Sequence, residues 1–453
     1  MKADVTILGG GPGGIAASLH ASHNQFKTIL VEKDAVGGVC LHRGCIPTKS
    51  LITDALALEE GLSGKEKQAF LEAMLRRKES VVARLHQGAL ASLRDAGVLV
   101  VRGEARIISE RCVRVNEENI DTRFILVATG SRPKTIQGFP FDGTEILSSD
   151  HLLQEKEAPG SLVIIGAGPS GCEFAGLFHR LGTRVILLEA LPFLLPGFDE
   201  EISETLKKIF IRQGIGVHTG ETVASFQRDD GGVLVAAASG AHYRAEKVLV
   251  SVGRTPNTQG LGLEELGVSM NQGFIAVDRQ MRTSVPTVFA VGDATGKWPL
   301  AHAASHQGRV AVDAMAGKES AAEEFAVPEC VFTVPEVAKV GWTEKTARGR
   351  GKVSIGRAPF IRSAKAQILG QKEGFVKLVG ESPGGKLVGA HLIGPHVTEL
   401  IGELALACRV GISIRDIQEV PHPHPTLSES VEEAARDFVQ RDDTFSGLAS
   451  KTN

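Results

Sequence analysis

Apolar residues fall in short continuous runs, each closed by glycines and followed by a stretch with helical spacing. Val5-Thr6-Ile7-Leu8 is one such run, bounded by turn residues, and it predicts a strand buried on both faces. A helix is expected from about Gly13 to His23, then a strand from Thr28 to Val31 that ends in Glu32. The same order returns later, with a strand from Leu162 to Ile165, a helix from Cys172 to Leu181, and a strand from Arg184 to Leu188 ending in Glu189. The turns supply Gly9, Gly11 and Gly14 in one copy and Gly166, Gly168 and Gly171 in the other, and the acid follows the first glycine by 23 positions in both. Such glycines permit a tight turn and close approach of a pyrophosphate to the helix N-terminus, while the acid receives ribose hydroxyls. Two units of one spacing imply two dinucleotides.

Each unit closes on another apolar run, Phe124 to Gly130 and Val248 to Gly253, with a proline within three residues. The first unit is 34 residues longer between its first and closing glycines, 121 against 87. Much of that surplus is helical sequence from about Lys65 to Asp95, whose Phe70, Leu71, Met74, Leu75, Val81, Val82 and Leu85 read as an amphipathic face packing on the first domain. Next come a buried-type strand from Thr287 to Asp293 and a helix from about Leu300 to Met315. Asp293 reads equally as a helix cap or as a second acid for the first dinucleotide. From about Pro328 the pattern changes to strands at Cys330 to Thr333, Phe375 to Val379 and Leu387 to Ile393, then a helix from Thr398 to Cys408 whose apolar face suggests a subunit interface. The resulting architecture is α/β, with two Rossmann-like dinucleotide-binding domains plus an α+β C-terminal domain. Boundaries are expected at 1–147, 148–272, 273–328 (a central segment completing the first domain) and 329–453.

Within the first unit, Gly37 to Lys49 places Cys40 and Cys45 five residues apart. On a regular helix that spacing means about 7.5 Å of rise and roughly 140° of rotation, too far and too divergent for a disulfide. The segment must be distorted. Gly44 permits the distortion, and Pro47 suits the first turn of a helix starting near Cys45, where the dipole favours a thiolate. A redox-active disulfide is the preferred reading; unlinked thiols or half of a metal site are the bland ones. Cys112, Cys172, Cys330 and Cys408 are scattered and offer no second close pair.

Hydrophobic content of 42% with 23% charged residues describes an ordinary globular chain, and a formal net charge of -3 without a basic block implies neither nucleic acid nor an anionic membrane as partner. No apolar run approaches membrane length. A cytoplasmic location is the default, in which a persistent disulfide tends to be catalytic; a mature organellar chain would look the same.

Near the far end, Pro421, Pro423 and Pro425 alternate with His422 and His424 and fix both histidines on an extended segment. Thr426 with Glu429 fits a capping box. A histidine beside a carboxylate is equally an acid/base pair able to deprotonate a thiol.

These motifs lie in one order along nearly the whole chain: Gly38-Val39-Cys40 through Cys45-Ile46-Pro47-Thr48-Lys49, Ala128-Thr129-Gly130, Gly166 to Glu173, Val252 to Asn257, Gly292-Asp293, Thr333 to Ala338, and His424 to Glu429. In them the sequence resembles the FAD-dependent pyridine nucleotide disulfide oxidoreductases. The resemblance implies FAD and NAD as cofactors and a homodimer joined through the C-terminal domain. It implies that Cys40 exchanges with the substrate dithiol, that Cys45 faces the flavin, and that Lys49 lies near the flavin and pairs with Glu173. His424, held by Glu429, would act on the cysteines of the partner subunit. FAD would use Gly9, Gly11, Gly14, Glu32, Lys49, Asp293 and backbone near Ala105, Gly130, Leu300 and Ala301; NAD would use Gly166, Gly168, Gly171, Glu189, Val223 and Gly253. Glu189 suits the two ribose hydroxyls of NAD and repels the phosphate of NADP. That favours the lipoamide-type branch, with dihydrolipoamide on a lipoyl-bearing acyltransferase or carrier protein as substrate. The rivals are an NADH-dependent, glutathione-reductase-like enzyme for another small disulfide, and a non-catalytic flavoprotein docking subunit. Pro423, Pro169 and the His42-Arg43 pair depart from the family's usual residues.

Overall fold

The computed structural model describes residues 1–58 and 64–449. They divide into two compact units, Met1–Ile136 with Leu147–Glu157 and Val252–Glu323, and Gln137–Ile146 with Ala158–Ser251 and Glu324–Asn453.

The first unit begins β1 (Lys2–Leu8), α1 (Pro12–His23) and β2 (Thr28–Glu32), continues through α2 (Gly38–Arg43), α3 (Cys45–Ala55) and α4 (Gly64–Asp95), and reaches β3 (Leu99–Arg102). With β4 (Ala105–Ser109), β5 (Cys112–Val115) and β6 (Glu118–Val127) these strands form one sheet in the order β3-β2-β1-β6-β5-β4. The strands from β3 to β6 run parallel, with Leu8 opposite Val31 on one side and Val127 on the other, so three carboxyl ends finish level. β6 does double duty. Its first half pairs antiparallel with β5, and Ile125 to Val127 pair parallel with Val288–Ala290, which returns from far along the chain and delivers Asp293 to the same end. Val5, Ile7, Leu30, Leu126 and Phe289 are fully buried there, as two-faced burial of an apolar run requires.

The second unit contains a parallel sheet in the order Gly216–Thr219, Arg184–Glu189, Ser161–Ile165 and Lys247–Val250. Its C-terminal part is a five-stranded antiparallel sheet ordered Glu329–Val331, Glu336–Gly341, Leu387–Gly394, Phe375–Glu381 and Val353–Pro359. The helices Val397–Val410 and Glu429–Ala449 bury Ile401, Leu404, Val431 and Phe438 against it. The outward side of the first helix leaves Leu406 and Val410 exposed, and Ile361 and Ile368 are exposed in the same unit.

Some expectations change. Residues 252–272, assigned from sequence to the second nucleotide domain, belong to the first unit, because Arg254–Pro256 pairs with Ser131–Pro133 and the Ile107 amide donates to the Leu261 carbonyl. α4 spans the expected helix and buries Leu71 and Met74, but Leu85 is 46% exposed.

The second unit also holds an ion cluster. Lys377, 2% exposed, places its ammonium 2.8 Å from Asp199 and Glu344 and 3.0 Å from Glu201. Asp199 caps the helix Glu200–Gln213, so the cluster fastens that helix to the antiparallel sheet. Beside it His391 is fully buried and donates through Nε2 to the Trp342 carbonyl at 2.9 Å, while its Nδ1 has no hydrogen-bond partner. Burial pushes its pKa down from 6.5 to about 4. The unfolded chain therefore binds this proton first, and stability falls as pH drops from about 6.5 to about 4, then levels. The expected loss is roughly 3 kcal/mol. Denaturant unfolding of wild type and His391→Gln across this window checks it: the variant should lose the larger part of the slope.

Candidate functional site

Both glycine turns are built alike. Gly9 has φ +106°, and a Cβ there would stand 2.3 Å from the Ala128 carbonyl oxygen; at Gly14 it would stand 1.9 Å from the Gly9 oxygen. Gly166 has φ +100°, and a Cβ at Gly171 would again stand 1.9 Å from the oxygen of the first glycine. The middle glycines differ: a Cβ at Gly11 or Gly168 would meet nothing within 4 Å. The outer glycines answer to the fold. The middle ones face open space that a side chain would fill, at the N-termini of α1 and of Pro169–Arg180, each with proline in its first turn. That is where a pyrophosphate sits on exposed amides.

The strand-end acids are matched too. Glu32 accepts from the Gly10 amide at 2.6 Å and from Asp34 at 2.8 Å; Glu189 accepts from Ala167 at 2.7 Å and from Leu191 at 2.9 Å. Beside Glu32 a cavity of about 340 Å³ is lined by Gly9, Ala105, Thr129, Arg132 and Asn257. Gly130 and Gly253 hold positive φ with open space where a side chain would start, and both lie in the first unit. Val223 opens a hairpin strand two residues after Glu221, whose amide donates to the Glu189 carbonyl.

Around Asp293 the sequence reading missed the partners. Ser131 Oγ donates to the Asp293 carboxylate, Arg254 donates to Ser131 Oγ at 2.5 Å, and Asn257 donates to the Thr129 carbonyl at 3.1 Å. Arg254 and Asn257 stood inside a recognised run; their targets on either side of Gly130 become evident only when Arg254–Pro256 pairs with Ser131–Pro133. Leu300 is the N-cap of the helix Ala301–Met315.

At the cysteines the chain breaks where their spacing requires. α2 carries Cys40 and stops at Gly44, which has φ -147° and ψ -110°, and α3 starts on Cys45 itself. A Cβ at Gly44 would press on the Val39 carbonyl oxygen at 3.1 Å. Cys40 and Cys45 are both reduced, the dithiol form of the pair. A hydrogen bond to the Cys45 side chain, then burial, pushes the Cys40 thiol far above its ordinary pKa, with Lys49 pulling the other way. Cys45, the first residue of α3, sits at the positive end of that helix. Cys40 also opens on a recess of about 600 Å³ lined by Pro12, Ile15, Leu19 and Leu41, with Arg309 among its few charged neighbours; Cys45 does not line it.

In the second unit Glu173 is buried and accepts from the Phe332 amide at 2.9 Å. His424 Nδ1 lies 2.8 Å from Glu429 Oε1, and the other carboxylate oxygen accepts from the Thr426 amide at 2.9 Å. Glu429 makes both expected contacts, though only half of the capping box forms, because the helix starts at Glu429 and the Thr426 hydroxyl donates to Pro423. The His424 bond, then the Thr426 amide, hold the Glu429 carboxyl below its usual pKa. As an anion it orients the imidazole with Nε2 outward, on a side chain 71% exposed.

Residues 3–308 match the family model described as pyridine nucleotide-disulphide oxidoreductase, and residues 327–435 match that family's dimerisation domain. The chain belongs to the pyridine nucleotide-disulphide oxidoreductases. Among its relatives, the dihydrolipoyl dehydrogenase of Chlorobaculum tepidum is 40% identical over 458 residues, covering 96% of this chain and 97% of that protein. The dihydrolipoyl dehydrogenase of Bacillus subtilis is 37% identical over 465 residues, covering 95% and 97%. Two solved structures align closely: LpdA from Mycobacterium tuberculosis (TM-score 0.88, 28% identity, 96% of this chain and 99% of that one) and the HOCl-induced flavoprotein disulfide reductase RclA from Escherichia coli (TM-score 0.87, 27%, 96% and 99%). Among the described residues no helix is long and apolar enough to cross a membrane.

The two kinds of glycine separate by experiment. Gly11→Ala should keep the melting temperature of the apoprotein and weaken flavin binding by about 1–3 kcal/mol, whereas Gly14→Ala should cost the fold itself about 3 kcal/mol. Flavin titration and thermal unfolding of both variants check this; equal melting temperatures would contradict it.

Proposed function

We propose that this chain is an FAD enzyme that oxidises dihydrolipoamide to lipoamide with NAD as acceptor, working as a homodimer. The observation that carries the choice of substrate is the recess at Cys40: its wall of Pro12, Ile15, Leu19 and Leu41, with His20, His23 and Arg309 as basic members, suits the short hydrocarbon arm of a dithiol. Relatives named dihydrolipoyl dehydrogenase across the full length support it.

In this reading the open turn at Gly11, with Glu32, Asp293 and backbone near Ala105, Gly130, Leu300 and Ala301, holds FAD; the turn at Gly168, with Glu189, Val223 and Gly253, holds NAD. Lys49 and Glu173 act beside the flavin. His424 Nε2, from the partner subunit, takes a proton from the substrate dithiol, and the thiolate attacks Cys40 in the Cys40–Cys45 disulfide. That bond breaks, Cys45 leaves as thiolate, and a mixed disulfide forms on Cys40. The second substrate sulfur attacks its neighbour, releasing lipoamide, and Cys40 leaves to take a proton. Two electrons have then passed from dithiol to disulfide. The flavin supplies the onward transfer of that pair as hydride to NAD. The exposed apolar side chains Leu406, Val410, Ile361 and Ile368 support a dimer through the C-terminal domain, and a lipoyl-bearing acyltransferase or carrier protein presents the dithiol. A cytoplasmic location fits a cysteine pair that cycles through its reduced form.

Steady-state assays test the assignment. NAD should be preferred over NADP by on the order of 100-fold, since a phosphate against Glu189 sets like charges together, and dihydrolipoamide should turn over where glutathione disulfide does not; NADP preference or the reverse substrate order would overturn it. His424→Gln should lower kcat by about 10²–10⁴-fold with flavin content kept. Mixing His424→Gln with Cys45→Ser chains should restore up to about a quarter of wild-type activity if each site draws on two subunits, and nothing if it does not.

A further inference from the structure

The peptide between Val36 and Gly37 is gripped from both sides. Its N–H donates to the Gly10 carbonyl at 2.7 Å, and Gly10 is the turn residue whose own amide is bound by Glu32. Its carbonyl oxygen receives two imidazoles, His42 Nε2 at 2.9 Å and His86 Nδ1 at 2.8 Å. A carbonyl only accepts, so both nitrogens carry hydrogen, and the two bonds use both lone pairs of that oxygen. The rings meet edge to face with centroids 5.2 Å apart.

The place of this clamp gives it a consequence. Val36 is buried and precedes Gly37 and Gly38, whose φ of +116° and +59° swing the chain into α2; a Cβ at Gly37 would strike the Leu41 side chain at 2.3 Å. A turn made of two glycines has no side chains of its own to hold it. Hydrogen bonds must do so, and they come from His42, between the two cysteines, and from His86 on α4, the helix that fills the surplus of the first unit. α2 carries one sulfur and α3 the other, with the break at Gly44 between them. Whatever fixes α2 on the nucleotide turn fixes how closely Cys40 is kept over Cys45 when the pair is reduced. Closer holding means a higher effective concentration of one thiol at the other, and so a more stable disulfide.

We infer that His42 and His86 are positioning residues which, through the Val36–Gly37 peptide, set the reduction potential of the Cys40–Cys45 pair. This rests on the redox role proposed above for that pair. The exchange concerned is that of the pair with a dithiol: its S–S bond breaks, two electrons and two protons enter, and the reductant closes its own disulfide.

The experiment equilibrates the holoprotein in dithiothreitol buffers of graded ratio, quenches by alkylation, and counts labelled Cys40 and Cys45 by peptide mass. His42→Leu and His86→Leu should each shift the equilibrium toward the dithiol by about tenfold, or about 30 mV. His42→Gln and His86→Asn, whose amides place a donor near Nε2 and near Nδ1 respectively, should return it to within about twofold of wild type, well inside the 30 mV that a tenfold change represents. Donor-retaining variants displaced as far as the leucine ones would reduce the histidines to packing. Leucine variants with wild-type equilibrium and flavin content would overturn the proposal. The two positions are tested separately, so that one variant failing to fold leaves the other to decide. Because no lipoamide is present, failure here is distinct from failure of the substrate assignment, which the wild-type turnover assay reads.

Discussion

Two sulfurs five residues apart in sequence come within hydrogen-bonding reach only because the helix under the first stops before the helix under the second begins. Gly44 makes that stop, and Cys45 becomes the first residue of α3, in the positive field of its N-terminus. From this one break follow an order and a direction. Cys40 lines the recess; Cys45 takes the helix N-terminus. A regular helix through the same residues would have separated the sulfurs and left two ordinary thiols.

The rest of the first unit holds that break in place. The sheet levels the ends of β1, β2 and β6, and Val288–Ala290 joins β6 to bring Asp293 alongside. The glycine turn after β1 then serves twice: Gly11 leaves open space at the N-terminus of α1, and the Gly10 carbonyl holds the peptide that leads into α2. The second unit repeats the turn and the acid with nearly the same distances, 2.6 and 2.8 Å in one and 2.7 and 2.9 Å in the other. It adds a buried ammonium among three carboxylates to join its helix Glu200–Gln213 to the antiparallel sheet.

Local chemistry was legible in the sequence where it repeats or where spacing is restrictive. The paired turns, the acids, the break between the cysteines and the His424–Glu429 contact all follow from residues within about a dozen positions of one another, or from a duplicated pattern. What needed the structure depends on long-range pairing. Residues 252–272 read as a continuation of the second nucleotide unit, yet Arg254–Pro256 pairs with Ser131–Pro133. The strands Glu336–Gly341 and Val353–Pro359 carry lysine, arginine and glycine that blur their alternation. Lys377 lies within a predicted strand, but its three carboxylates come from elsewhere in the chain, and His86 lies within a predicted helix, where nothing local points it to Val36.

The division of labour between the two sulfurs is the claim on which the mechanism turns, and selective alkylation reads it most directly. The holoenzyme is reduced with one equivalent of dihydrolipoamide, treated briefly with limiting iodoacetamide, and mapped by peptide mass. The label should fall on Cys40, the sulfur that lines the recess, with Cys45 protected; predominant labelling of Cys45 would contradict the account.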